Sequence, residues 1–202
     1  MNANSSVSPS RASVCAASVA TELHYASMVA HKLSLSAKNA RVVVLRAGSQ
    51  AASLKVISDF FDTLANQTIQ IASQINRTAL DISQMAVQSW RAQQFTERLE
   101  QAKASNRALE HDPTIRKCLA RQERIVLTER YRKGLHILAS ELDEILHFMR
   151  AANVISVTSR LEATQTGRFE ETLVHMANTI QQQADVIKDH VMRSQRLIQD
   201  LI

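Results

Sequence analysis

Asn39–Ala65 reads NARVVVLRAGSQAASLKVISDFFDTLA, and its reading decides the fold. It holds Gly48, one of three glycines in 202 residues. Upstream, Ala12, Ala16, Val19, Leu23, Ala26, Ala30, Leu33, Ala37, Ala40 and Val44 recur in steps of three and four. Downstream, Leu54, Ile57, Phe61, Leu64, Thr68, Ile71, Ile75, Thr78, Ile82, Met85, Ser89, Ala92, Thr96 and Leu99 do the same. Each row is a heptad seam. Two such seams meeting at one glycine-containing break predict an antiparallel helical hairpin with the break at its tip.

Working outward, the first helix is expected over Ala12–Ala47 and the second from just past Gly48 to Glu110. His111-Asp112-Pro113-Thr114 then breaks the pattern, with Asp112 suited to an N-cap and Pro113 to the first helical position. A third helix is predicted over Pro113–Ala163 on the seam Leu135, Leu138, Leu142, Ile145, Met149 and Ala152, with Gly134 inside it. After a break at Ala163–Gly167, a fourth runs through Phe169, Leu173, Met176, Ile180, Ile187, Ser194, Leu197 and Leu201, its row interrupted by Gln183 and His190. The fold class is therefore all-α: an antiparallel up-down four-helix coiled-coil bundle with two longer central helices.

The central helices outrun the outer ones by roughly 15–25 residues each, at 1.5 Å per residue. Residues 86–130 are thus expected to project as a two-helix arm, with Trp90, Phe95, Leu99, Ile125, Leu127 and Tyr131 as a small core of its own. Asn39 and Arg46 recur as Asn153 and Arg160, 114 residues on. This faint repeat suggests two fused hairpins whose tips share one end.

Composition agrees. Two prolines and 4% aromatics leave too few turn formers and strand formers for a β protein. A net charge of +5 permits an acidic partner without requiring nucleic acid. Cys15 and Cys118 have no paired spacing, which fits thiols in a reducing compartment. No apolar run approaches the ~20 residues of a membrane span. Residues 1–11 look like a disordered Ser/Asn tail with no secretory core. Residues 12–202 form one elongated bundle, and a cytoplasmic location is expected.

The tip residues Asn39, Ala40, Val42, Arg46, Ala47, Gly48, Leu54, Val56, Ile57, Asp59, Leu64 and Ala65 resemble the membrane-distal signalling hairpin of methyl-accepting chemotaxis receptors. Val43 and Ser49 stand where that pattern has glutamate, and Ala51 and Ser53 where it has glycine. The resemblance implies a soluble relative of the signalling part. It also implies that Asn39, Val42, Arg46 and Gly48 contact a chemotaxis coupling protein or histidine kinase. Arg46 offers a planar fork of donors, and Asn39 can bond across helices. The alternative role for Arg46 is capping carbonyls beside Gly48, where cations are favoured.

A second candidate is the basic run Ile115–Gly134, with Arg116, Lys117, Arg121 and Arg124. It is a solvated face, or it binds an acidic partner as part of a structural assembly module. Glu144 and His147 have the spacing of di-iron bundles, but the nearest second motif, Glu171 to His175, is spaced wrongly, so neither metal nor other cofactor is expected. His24 and His31 lie one heptad apart beside the seam and are expected inside the bundle. The candidate methylation positions, Glu22, Gln93-Gln94, Glu170-Glu171 and Gln181–Gln183, read as ordinary surface residues. No phosphate loop, dinucleotide fingerprint or nucleophile elbow is present, so no enzyme is expected. The expected protein works through protein–protein contacts, as a monomer or a homodimer.

Overall fold

In the computed structural model, Pro9 opens the first helix, α1 (Pro9–Ala47), three residues earlier than the seam predicts. Proline is at home there, because the first helical N–H has no partner to lose. A 3₁₀ turn, Gly48–Ala51, leads into α2 (Ala52–Ser105). Helix α3 spans Pro113–Ala163, and a second 3₁₀ turn, Gly167–Phe169, leads into α4 (Glu170–Gln199). The structure describes residues 9–105 and 113–199, without the side chains of 9–13, 50, 89, 93, 96, 99, 100, 102–105, 113–125, 127 and 128. Residues 1–8 of the tail and the expected break at His111-Asp112 lie outside the described residues.

Helix α1 packs on α2 and α4, and α3 packs on the same two, so the four helices close a ring. Cross-helix bonds between described residues reverse order along the chain. Ser34 Oγ donates to Asp62 Oδ1 at 2.6 Å, while Arg41, further along α1, pairs with the earlier Asp59 at 3.0 Å. Between α3 and α4, Gln195 Nε2 donates to Asp143 at 2.6 Å and Asn153 Nδ2 to Asp185 at 2.8 Å. Cys15 Sγ donates to the Leu197 carbonyl at 3.0 Å, and Glu22 meets His190 at 2.7 Å.

The seam of α1 from Val19 onward and that of α3 lie where the pattern puts them; at the start of α1 the expected Ala16 is half-buried and Cys15 is buried in its place, and the side chain of Ala12 lies outside the described residues. Val19, Leu23, Ala26, Ala30, Leu33, Ala37, Ala40 and Val44 are buried on α1. Leu135, Leu138, Leu142, Ile145, Met149 and Ala152 are buried on α3, and Ser156, Ser159 and Ala163 continue that row. The seams of α2 and α4 need correcting by one residue at alternate positions. On α2 the row is Leu54, Ser58, Phe61, Ala65, Thr68, Ala72, Ile75, Ala79, Ile82 and Ala86, with Leu64 also buried. The expected Ile57, Ile71, Thr78 and Met85 are only half-buried. On α4 the row is Leu173, Ala177, Ile180, Ala184, Ile187, Val191, Ser194 and Ile198. Gln183 and His190 therefore interrupt nothing; they sit beside the seam. The physical reason is size: alanine and serine at alternate positions let the neighbouring backbones approach, and the larger residue one step back is left at the flank.

The hydroxyls in these rows are satisfied locally. Ser58, Thr68 and Ser156 each donate to the carbonyl four residues back, at 2.9, 2.8 and 2.9 Å. A polar atom paired within its own turn costs the core little. His24 and His31, expected inside, are exposed, because the α1 row passes through Leu23 and Ala30 instead.

Gly134 marks a close approach of α3 to α2. A Cβ there would lie 2.9 Å from Ile82 Cγ1 and 3.1 Å from Ile82 Cδ1. Ile82 is fully buried and cannot swing away. Alanine gains about 1 kcal/mol of helix propensity over glycine, but overpacking of this kind costs about 1–3 kcal/mol. Gly134→Ala is therefore expected to range from neutral to destabilising by about 2 kcal/mol in chemical unfolding; a clear gain in stability would refute the close contact.

Among the described residues from 87 to 130, none is buried. Trp90 and Phe95 are exposed and Tyr131 is half-buried. The side chains of Leu99, Ile125 and Leu127, which complete the core expected for the arm, lie outside the described residues. No described helix is long and apolar enough to cross a membrane.

Candidate functional site

Helix α1 ends because Gly48 takes φ +67°, a conformation that costs other residues about 1–2 kcal/mol. Nothing lies within 4 Å of a Cβ placed there, so the backbone alone requires glycine. Gly167 does the same after α3, with φ +57°. Residues 164–166 close that turn, the Thr166 N–H donating to the Ala163 carbonyl at 3.0 Å.

The two turns lie at one end of the molecule. Val44, Ala51 and Leu54 from the first share a buried cluster with Ala163 and Leu173 from the second, and Ala47 and Phe169 pack against it. Ser53 Oγ donates to Glu162 Oε2 at 2.7 Å across the two turns. The guanidinium of Arg168 lies 4.9 Å over the Phe169 ring.

Asn39, Val42, Arg46 and Gly48 are all exposed around this end. Arg46 sits in the last turn of α1, where the helix dipole favours a cation. Neither Asn39 nor Arg46 is bonded to another described residue. Their counterparts differ. Asn153 bonds across to Asp185, and Arg160 Nη1 donates to Asn178 Oδ1 at 3.3 Å and to Gln181 Oε1. The cross-helix bond considered for Asn39 is thus made by Asn153. The second turn uses its polar pair to tie α3 to α4, while the first turns the same pair outward. Exposed apolar side chains crowd the same end: Val42 and Leu45 on α1, Val56 on α2, and Val154, Val157 and Leu161 on α3.

The backbone positions of Arg116, Lys117, Arg121 and Arg124 fall on α3, and their side chains lie outside the described residues. Glu144, His147, Glu171 and His175 are exposed. Among the described residues, no group of three His, Cys, Asp or Glu side chains is placed to hold a metal ion.

Two charged clusters were not legible in the sequence. Glu22, raised as a methylation candidate, joins α1 to α4. Its Oε2 accepts from Arg193 Nε at 2.9 Å and lies 2.7 Å from His190 Nδ1, whose ring stacks on Tyr25 at 5.6 Å. Burial raises this carboxyl, but the bonds to His190 and Arg193 outweigh it and hold the group below its ordinary value. Its share of stability is present above pH 4.5 and lost as pH falls through the lowered folded value.

Glu141 is the opposite case. It is buried between α2 and α3; Oε1 accepts from Gln74 Nε2 at 2.6 Å, while Oε2 is buried with no partner. Burial pushes this carboxyl up, the Gln74 bond opposes that, and Glu144 adds to the rise. A raised carboxyl stabilises the fold fully below its unfolded value of 4.5 and loses that share as pH rises through the folded value. Glu141→Met is expected to stabilise the chain by about 1–3 kcal/mol at pH 7, because Gln74 is exposed and can turn to water. The difference from wild type should shrink towards pH 4 in parallel urea titrations. A destabilised variant at pH 7 would show instead that the carboxylate is well accommodated.

No protein-family model matches the chain, and a search of curated proteins returns no significant match.

Proposed function

We propose that this chain is a helical signalling or scaffold protein that binds a chemotaxis-type coupling protein or histidine kinase through its hairpin tip. The observation that carries the reading is the end where the two turns meet. Asn39, Val42, Arg46 and Gly48 are exposed there, and Arg46 and Asn39 are unengaged by other described residues. Such a surface joins a planar cation to exposed apolar side chains, a combination common at protein contacts. It acts by binding rather than by catalysis.

The finer architecture belongs to the same proposal. The reversed order of cross-helix bonds supports an antiparallel up-down coiled coil. The shared end of the two turns and the packing of α1 on α4 support two hairpins fused through Asp112-Pro113. The end of burial after Ala86 on α2 and its return at Gly134 on α3 support a projecting arm. Small residues along the α2 seam favour two close-lying packings, by which a signal would reshape the tip.

The test is a titration of the purified chain with a coupling protein and kinase, beside Arg46→Glu. The expected result is binding that weakens at least about tenfold in the variant, a change of about 1.4 kcal/mol. Absence of wild-type binding at about 50 µM would refute the tip as a receptor-like surface.

A second reading draws on Trp90 and Phe95, exposed on α2, and on the basic run of α3. In it, the arm binds an acidic partner through Arg116, Lys117, Arg121 and Arg124. Replacing those four with Glu would abolish that binding and leave the tip intact.

A further inference from the structure

Helix α1 carries a second heptad row, on the side away from the core. Its buried residues include Val19, Leu23, Ala26 and Ala30. At about 100° per residue, the positions opposite that row are 14, 21, 28, 35 and 42. They are Val14, Thr21, Met28, Leu35 and Val42, and every one is exposed; Leu35 is 60% exposed and Val14 67%. The row runs straight for roughly 42 Å along the helix.

Among the described residues, the outer rows of α2 and α4 are mostly polar, and that of α3 mixes Lys133, Ser140 and His147 with Val154 and Leu161. The corresponding outermost row of α4 is His175, Gln182, Asp189 and Arg196, all exposed and polar. On α2 the row is Val56, Thr63, Gln70 and Arg77. Four of the five positions on α1 are apolar, and residues spaced seven apart keep facing one partner helix, as either of the two positions of a heptad seam does.

The charge beside the row identifies the partner further. Helix α1 holds five Lys/Arg and a single acid, Glu22, which is turned towards α4. Lys32, Lys38 and Arg46, with His24 and His31, flank the outer row, and no carboxylate of α1 does. Lys38 is partly answered by Asp62 at 3.7 Å. We propose that the outward face of α1 docks an amphipathic helix that has apolar residues at heptad spacing and Asp or Glu along their flanks.

Two other occupants fit less well. A second copy docking by the same face would set cations against cations. A membrane surface would need an apolar sector about 100° wide, whereas this row is one residue wide and its flanks are mostly polar, His24, His31 and Lys38 before Leu45 on one side and Lys32, Asn39 and Arg46 after Tyr25 on the other. The inference goes beyond the tip reading, since Leu35 lies roughly 16 Å along α1 from Arg46.

The probe is a 28-residue synthetic peptide with Leu at alternating steps of three and four and Glu at the flanking positions. A Lys-flanked twin is the control. Like charge along one flank keeps each peptide from self-pairing. Binding to the full chain is read by fluorescence anisotropy, and by helix gained in circular dichroism. The Glu peptide should bind at least about tenfold more tightly than its twin, and Leu35→Asp should weaken it about tenfold or more. Lys32→Glu with Lys38→Glu should reverse the preference in a chain whose apolar row is unchanged. Equal binding of both peptides, or no effect of Leu35→Asp, overturns the proposal. So does a dimer in sedimentation equilibrium, or binding to phosphatidylserine vesicles, that Leu35→Asp abolishes, because either gives the row a different occupant. A coupling protein still bound by Leu35→Asp separates this outcome from that of the tip.

Discussion

Phe61→Ala is expected to lower the unfolding free energy by about 3–5 kcal/mol, the largest loss any single truncation in this bundle should produce. Phe61 heads the fully buried side chains by volume and sits in the α2 row between Ser58 and Ala65. Small neighbours on both sides mean that nothing on α2 can fill the space it leaves. The ring also meets Phe60 edge-on, with centroids 6.2 Å apart, so the change removes an aromatic contact as well as buried area. In a chain of this size the loss corresponds to a fall of roughly 10 °C or more in Tm. Phe60, half-buried at the flank, should cost distinctly less when truncated. Urea unfolding of the two variants at equal m-value checks this, and a cost under about 1 kcal/mol for Phe61→Ala would mean that the α2 row is misplaced.

Ala184→Gln and Gln183→Met test the corrected register of α4 from both sides. Ala184 is fully buried, in the row between Ile180 and Ile187. A glutamine there brings an amide with no partner, about 1–3 kcal/mol, and overpacks a close helix contact, about 1–3 kcal/mol more. The expected loss is about 2–6 kcal/mol. Gln183, one residue back, has a buried Oε1 without a partner. Replacing it with the volume-matched methionine should be neutral or mildly stabilising. If Gln183 lay in the seam, the ranking would be inverted: the alanine position would tolerate glutamine. Thermal melts of the two variants separate the cases directly.

The same pair of residues shows why part of the core was legible and part was not. On α1 the two alternating positions both hold recognisable core residues, as with Val19 and Leu23 or Leu33 and Ala37. The period then has only one solution. On α4 the choice lay between Gln183 with His190 and Ala184 with Val191. On α2 it lay between Ile71 with Thr78 and Ala72 with Ala79. On α2 a scan for large apolar side chains prefers Ile71 to Ala72, and on α4 the three-residue steps from Leu173 to Met176 and from Ile180 carry the row onto Gln183 and then His190. The folded chain prefers whichever residue suits the distance to the next helix, and close helices favour the small one.

The site divides in the same way. Its position at a hairpin tip follows from Gly48, because a left-handed residue after a long seam ends the helix there. That the second turn lies beside the first depends on how α2 and α3 return, and becomes visible only in Ser53 meeting Glu162 and in the shared cluster of Val44, Leu54, Ala163 and Leu173. The recurrence of Asn39 and Arg46 as Asn153 and Arg160 is a faint repeat visible in the sequence. Its asymmetry is not, since it arises from Asp185, Asn178 and Gln181 on α4 taking up one pair and leaving the other exposed.

The amino-acid sequence by itself determined that this protein is made of four long helices, and where three of the breaks between or before them fall. Glycine and proline are so scarce that Pro9, Gly48, Pro113 and Gly167 each mark a boundary, with Gly134 inside α3 the exception, and local backbone energetics act within a turn. Tertiary structure decided the faces: which of two adjacent residues enters the core on α2 and α4, that His24 and His31 look outward, and that Glu22 reaches His190 while Glu141 is left half-satisfied. Those outcomes depend on distances between segments far apart in the chain, and no local pattern records them.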